Sequence, residues 1–229
     1  MSNKFRYEIK FVLSEIALTQ FLSWMYLNTN CRKKYYSRTV NSIYFDDVNF
    51  SSVRDNLSGV ANRQKTRLRW YQSQINQSPS VPILEQKIRL GRLGRKSSVP
   101  INSLEGSIYT STFFKMLYEI KNEVPSNHHF SLEYLVPTLN VSYLRQYYED
   151  DNGIRITLDD KIKFNSCLSL NHKLGRGKKI NYGSKIVELK FDPKMKDYVS
   201  DLIRPLSLTP LRHSKYLTGL AMYGQVQYL

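Results

Sequence analysis

Apolar and charged side chains alternate in a series of short segments, and this period of two predicts β-strands. In "KIVELKFD" (185–192), Val187, Leu189 and Phe191 share one parity, while Ile186, Glu188, Lys190 and Asp192 share the other. Successive side chains of a strand point to opposite faces, so one side of this segment is apolar and the other is charged. The same alternation recurs in "FRYEIKF" (5–11), "KTRLRWY" (65–71), "ILEQKIRL" (83–90), "TLNVSYLRQYY" (138–148) and "GIRITLD" (153–159). "NSIYFDD" (41–47) reads as a strand ending in an acidic turn.

Four segments carry helical spacing instead. "SEIALTQFLSWMYL" (14–27) begins at a Ser14 cap and places Leu18, Phe21, Leu22 and Met25 on one face. "TFFKMLYEIKN" (112–122) does the same with Phe113, Leu117 and Ile120. "MKDYVSDLI" (195–203) offers Val199, Leu202 and Ile203 and is stopped by Pro205. "SKYLTGLAMYGQV" (214–226) offers Leu217, Leu220 and Tyr223. Helices and strands are mixed without strict alternation, and no linker-like stretch divides the chain. The expectation is one α+β domain over residues 1–229 with a largely antiparallel sheet.

Charge changes the picture. The 229 residues include 34 Lys and Arg against 19 Asp and Glu, a formal net charge of +15, which calls for an anionic partner. Cys31 and Cys167 lie far apart and in no metal-ligand spacing, so two free thiols in a reducing compartment are expected. His128 and His129 in "PSNHHF" predict a loop, because no further Cys or His completes a zinc set. No apolar run is long enough to cross a bilayer, and the N-terminus lacks the apolar core of a signal peptide, so a soluble, cytoplasmic protein is expected. "NHKLGRGKKI" (171–180) and "GRLGRK" (91–96) read as basic, glycine-containing loops, and neither has the spacing of a P-loop.

The charged parity of the strands is rich in Arg: Arg6, Arg67, Arg69, Arg89, Arg145 and Arg155, interspersed with Glu8, Glu85 and Glu188. A guanidinium offers a planar fork of donors suited to phosphate. If the sheet closes with this face inward, its lining is costly when empty and favourable around an anion. An enzyme acting on nucleotides or linked phosphates, a nucleic-acid-binding module with stacking at "RLRWY", and an adaptor on acidic lipids all take such a surface. The recurring carboxylates favour the first, because a hard divalent cation commonly bridges a carboxylate to substrate phosphate.

"RYEIKF", "NSIYFDD", "RLRWY", "ILEQK", "YLRQYY", "GIRITLD", "IVELKF" and "RHSKYLTG" occur in the order found in the vacuolar transporter chaperone (VTC) domain. The chain resembles that polyphosphate-polymerase branch of the triphosphate-tunnel (CYTH-like) superfamily from about residue 4 to residue 224. The resemblance implies a closed eight-stranded antiparallel β-barrel flanked by packing helices. It also implies transfer of the γ-phosphoryl group of ATP to a growing polyphosphate, with Mn²⁺ or Mg²⁺ as cofactor. Hydrolytic and cyclase relatives open with E-x-E-x-K, whereas here Arg6 stands at the first Glu, which favours the polymerase over a two-metal triphosphatase.

Carried over motif by motif, the catalytic candidates are Arg67, Arg69, Lys87, Arg155 and Glu188, with Glu188 the metal ligand. Lys10, Lys96, Arg145, Lys190, Arg212 and Lys215 are the substrate-binding candidates. Tyr44, Asp46, Tyr143 and Asp159 have an equally good structural reading, as strand-end groups or partners of an Arg. An inorganic triphosphatase and a non-catalytic polyphosphate-binding module are the alternatives. The implied partners are ATP and polyphosphate, not nucleic acid. Any membrane protein that translocates the product, and through which the chain would meet the inner face of a membrane, would be a separate chain.

Overall fold

The structure, a computed structural model, describes residues 6–73, 75, 78–90, 93–125, 132–169 and 171–227. His128 and His129 lie outside the described residues. The strands are β1 (Tyr7–Leu13), β2 (Arg32–Asp46), β3 (Arg63–Ser73), β4 (Ile83–Leu90), β5 (Leu93–Pro100), β6 (Val136–Glu149), β7 (Arg155–Ser166), β8 (Lys179–Tyr182) and β9 (Lys185–Phe191). The helices are α1 (Glu15–Asn28), α2 (Ser51–Leu57), α3 (Phe113–Glu123), α4 (Lys196–Ile203) and α5 (Lys215–Met222).

The hydrogen-bonded order is β1-β9-β7-β6-β2-β3-β4-β5, with β8 pairing β7. The registered pairs β1–β9, β7–β9, β3–β4 and β4–β5 are antiparallel. This is the expected α+β chain with a mostly antiparallel sheet. The expected closure is not there: among the described residues the order is a path with ends at β1 and β5, not a ring. Part of the reason lies after α4, where the Leu211 N–H donates to the Lys10 carbonyl at 2.9 Å, so a loop takes this backbone group of β1.

The chain divides into two compact units, each assembled from three segments. The first comprises Met1–Arg38, Tyr143–Ile162 and Asn181–Ser214; the second comprises Thr39–Ser142, Lys163–Ile180 and Lys215–Leu229. In the first unit the apolar parities of β1, β7 and β9 converge. Phe11, Leu13, Ile154, Ile156, Leu158, Val187, Leu189 and Phe191 are buried with Phe21, Trp24 and Met25 of α1 and Val199 of α4. The α1 start is as expected: the Ser14 hydroxyl accepts from the Ala17 N–H at 3.3 Å, satisfying one of the unpaired donors of the first turn.

In the second unit Ile43, Phe45, Leu68, Trp70 and Leu84 of β2, β3 and β4 pack with Phe113, Met116 and Ile120 of α3. Thr112 caps α3 by accepting from the Lys115 N–H at 3.2 Å. The acidic turn after β2 does more than end a strand. Asp46 Oδ1 accepts from the Ser52 N–H at 3.0 Å and Asp47 Oδ1 from the Ser51 N–H at 3.1 Å, so two carboxylates hold the start of α2. The α5 helix comes closest to its neighbours at Gly219, where a Cβ would lie 2.5 Å from Leu139 Cδ2 and 2.7 Å from Phe164 Cδ1.

Two basic loops are corrected in part. The end of "GRLGRK" lies in β5, an arm of the β4–β5 hairpin, because Ser97, Ser98 and Val99 continue the alternation that pairs with Glu85 and Leu84. "NHKLGRGKKI" is mostly irregular, but Lys173 bridges to Thr112 and residues from Lys179 enter β8. Cys31 and Cys167 are free and buried, as expected.

Candidate functional site

In each unit the side chains opposite the apolar core form a charged set. On β9 the parity question is answered directly: Glu188 is only 8% exposed although it stands opposite the core-facing Val187 and Leu189. The charged face is therefore withdrawn from bulk water at this point.

Register explains how the first unit's set assembles. Glu8, Lys190 and Arg155 form one row across β1, β9 and β7, and Lys10, Glu188 and Thr157 form the next. Acids and bases alternate along and across the strands, so each carboxylate meets lysines. Lys190 Nζ lies 2.5 Å from Glu188 and 3.7 Å from Glu8; Lys10 Nζ lies 2.6 Å from Glu8 and 3.8 Å from Glu188. Lys10 also donates to the His213 carbonyl at 3.4 Å, which holds the segment carrying exposed Arg212 against β1. Arg155 is half exposed and donates to Glu149 at 3.2 Å. Arg145 grips Asp159 through two bonds of 2.6 and 2.7 Å, with its guanidinium 5.2 Å from the Tyr143 ring centre. Burial works against its charge, but Tyr143, Asp159 and Glu188 outweigh it and raise its pKa well above the usual value.

Glu188, Glu8 and Thr157 offer oxygen ligands of the kind a divalent cation takes. Hard cations such as Mg²⁺ bind through one or two carboxylates plus phosphate and water. Glu188 and Glu8 supply that number. The buried Thr157 hydroxyl, in the same cross-strand row as Glu188, has no hydrogen-bond partner among the described residues. No cluster of three or more His, Cys, Asp or Glu side chains forms an all-protein metal cage among those residues.

The second unit's set is strongly cationic. Lys65, Lys87 and Lys96 stand side by side on β3, β4 and β5, and Arg67, Glu85 and Ser98 form the adjacent row. Like charges directly opposite one another cost stability unless an anion joins them. Glu85, 8% exposed, is the internal anion. Arg67 Nε and Nη2 each lie 2.7 Å from its Oε2, Lys96 Nζ lies 2.7 Å from Oε1, and Arg69 Nε lies 4.0 Å away. Burial pushes the Glu85 carboxyl up, but Arg67, Arg69 and Lys96 together bring it down to about 2.

Behind the arginines stands Tyr44, whose hydroxyl is 3.5 Å from Arg67 Nη1. Its ring stacks on Tyr216 of α5 at 4.7 Å and 11°. Tyr216 donates to Asp46 at 3.1 Å and bonds the Thr138 hydroxyl at 3.0 Å. The Lys215 charge acts on Tyr44 as well. Arg67, Arg69, Lys87, Lys96 and Lys215 thus belong to the second unit, and Lys10, Arg145, Arg155, Glu188, Lys190 and Arg212 to the first. Lys65, Thr157 and Tyr44 were not among the expected site residues. Strand parity was the available signal for the first two, since Lys65 precedes Arg67 and Thr157 follows Arg155 at a spacing of two.

Comparisons place this arrangement among known proteins. A protein of Pyrococcus horikoshii is 13% identical, with 96% of this chain and 99% of that one covered and a TM-score of 0.53. A candidate adenylate cyclase of Vibrio parahaemolyticus gives the same identity, coverage and score. A candidate adenylyl cyclase of Hippeastrum, HpAC1, which has a dominant triphosphatase activity, is 15% identical over 97% of this chain and 98% of that one, with a TM-score of 0.54. At these identities the likeness is one of fold. No curated protein matches the sequence. The VTC domain model matches residues 5–223, nearly the whole length, and the chain belongs to the VTC domain family.

Proposed function

We propose that the chain is an ATP-dependent polyphosphate polymerase, working as a single VTC-type domain through the charged strand faces of its two units. The terminal phosphate oxygen of a growing chain attacks the γ-phosphorus of ATP. A new P–O bond forms, the bond from that phosphorus to the β,γ-bridging oxygen breaks, and ADP leaves with the electron pair. The attacking oxygen is already ionised near neutral pH, so positioning and charge neutralisation carry the step and no general base is required.

In the second unit, Arg67 and Arg69 clamp phosphate through their forked donors, while Lys87, Lys96 and Lys215 neutralise neighbouring phosphates. Glu85 keeps the cations ordered when no phosphate is bound. In the first unit, Lys10, Lys190 and Arg155 take phosphate oxygens, and Glu188 holds Mn²⁺ or Mg²⁺ with Glu8 nearby. The cation would supply further neutralisation of phosphate charge. Arg145, paired to Asp159, orders this face from below, with Arg212 a more peripheral contact.

The observation that carries the reading is the cross-strand row of Lys65, Lys87 and Lys96 beside the Arg67–Glu85 row, in a chain of the VTC family. Arg6 in place of the first glutamate of the hydrolytic motif supports polymer formation over triphosphate hydrolysis. Incubation of purified protein with ATP and Mn²⁺ is expected to yield ADP and long polyphosphate. Orthophosphate alone, with consumption of added tripolyphosphate, would replace the proposal with the triphosphatase; tight anion binding without ADP release would leave a non-catalytic module. No helix among the described residues is long and apolar enough to cross a membrane, and any translocating partner is proposed as a separate, membrane-bound chain.

A further inference from the structure

Tyr44 is held in place from two sides and faces cations, an arrangement that packing alone does not require. Its ring lies flat on Tyr216, and Tyr216 is fixed in turn by Asp46 and Thr138. The Thr138 hydroxyl also lies 3.0 Å from the Tyr44 carbonyl, which sets it beside the backbone of β2. The phenol oxygen is thereby presented to Arg67 at 3.5 Å, a long contact for a charge-assisted bond. Neither Asp46 nor Glu85 is bonded to it in the contacts of either carboxylate, so the phenol looks at cations and not at an acceptor.

We propose that Tyr44 is a substrate-positioning residue whose O–H donates to a phosphate oxygen held by Arg67, Arg69 and Lys215. This rests on the phosphate-binding reading of the second unit's set and extends it from ammonium and guanidinium groups to a neutral donor. A phenol is suited to the task because it adds a directional bond without adding to the repulsion among the cations. The groups around it are Arg67 and Arg69 from β3, Glu85 from β4, Lys96 from β5, Lys215 and Tyr216 from α5, and Asp46 from its own strand.

Their field has a measurable side effect. Burial pushes the Tyr44 phenol up, but Arg67, Arg69 and Lys215 outweigh it and bring it down to about 8. A bound phosphate brings negative charge beside the oxygen, opposes those cations and favours the protonated donor. Phosphate binding near pH 8 is therefore accompanied by proton uptake at Tyr44.

The test uses the full chain, tripolyphosphate as probe, and two readouts. Titration of the wild type at pH 8 is expected to lower the tyrosinate absorbance, and Tyr44→Phe is expected to lose that change. Tyr44→Phe keeps the ring on Tyr216, so its thermal midpoint stays close to wild type while tripolyphosphate binds about tenfold more weakly, the worth of one hydrogen bond to a charged acceptor. Arg67→Ala separates the two levels of the argument. If Arg67→Ala weakens binding but Tyr44→Phe does not, the Tyr44 assignment is overturned and the phosphate site stands. If Arg67→Ala binds as well as wild type, the phosphate site itself falls. Absence of any tyrosinate change in the wild type overturns the assignment whether or not the Phe variant folds.

Discussion

The two charged sets differ in balance, although the same strand alternation builds both. In the first unit, Lys10 and Lys190 meet Glu8 and Glu188, Arg145 meets Asp159, and Arg155 meets Glu149. Every one of those cations has a carboxylate at hand. In the second unit one carboxylate, Glu85, meets Arg67, Arg69 and Lys96 together, with Lys65 and Lys87 in the neighbouring row. A balanced set gains little from a bare anion, since phosphate must displace carboxylates; it gains much from phosphate arriving with a divalent cation, which the carboxylates can share. An unbalanced set is completed by the anion itself. Under the proposed function, a cation requirement would fall to Glu188 and plain phosphate affinity to Arg67 and Arg69.

Substitutions can break the comparison. The largest effect is expected at Glu188: Glu188→Ala should fold normally and lose metal-dependent turnover by about 100-fold or more, as when a preorganised charge partner of a transition state is removed. Circular dichroism beside a steady-state assay checks it. Arg67→Ala should lower turnover by a similar or somewhat smaller factor, and Arg67→Lys should not restore it, because a point charge cannot replace the forked contact. Next is Glu85→Gln, which leaves Arg67, Arg69 and Lys96 facing one another. It should cost about 2 kcal/mol after allowance for solvent screening, recovered when tripolyphosphate is added during thermal unfolding. The sign of the matching pH dependence follows from the depressed Glu85 carboxyl. Its stabilisation is present above the ordinary value of 4.5 and is lost as pH falls towards about 2, so Glu85→Gln should flatten that part of the acid-stability curve. The smallest effect sharpens the role of α5: Gly219→Ala should cost roughly 1–3 kcal/mol through its clash with Leu139 and Phe164.

Much of this was legible in the sequence because period-two and helical patterns report burial directly. Val187, Leu189 and Phe191 are buried on one parity of β9, although Ile186 and Glu188 of the other parity are buried as well, and Phe21 and Met25 of α1 are buried as their spacing predicts. The charged parity groups Arg67 with Arg69 and Glu188 with Lys190, and each pair does share one strand face. What stayed hidden depends on tertiary contacts. Asp159 reads in sequence as a strand-end group or the partner of an Arg, and packing shows which Arg it meets, Arg145. The basic run around Lys96 carries glycines that suggest a loop, yet pairing with β4 makes it a strand. Strand closure could not be read at all, since it depends on what each edge meets, and a β1 carbonyl meets Leu211. The stack of Tyr44 on Tyr216 gave no periodic signal, because its two residues lie far apart in the chain.

The most direct measurement is calorimetric titration of tripolyphosphate into wild type, Arg67→Ala and Glu188→Gln, each with Mn²⁺ and with a chelator. The account predicts that Mn²⁺ strengthens binding in the wild type and in Arg67→Ala but not in Glu188→Gln, while Arg67→Ala weakens the binding that survives chelation. Mn²⁺ enhancement undiminished in Glu188→Gln would contradict it.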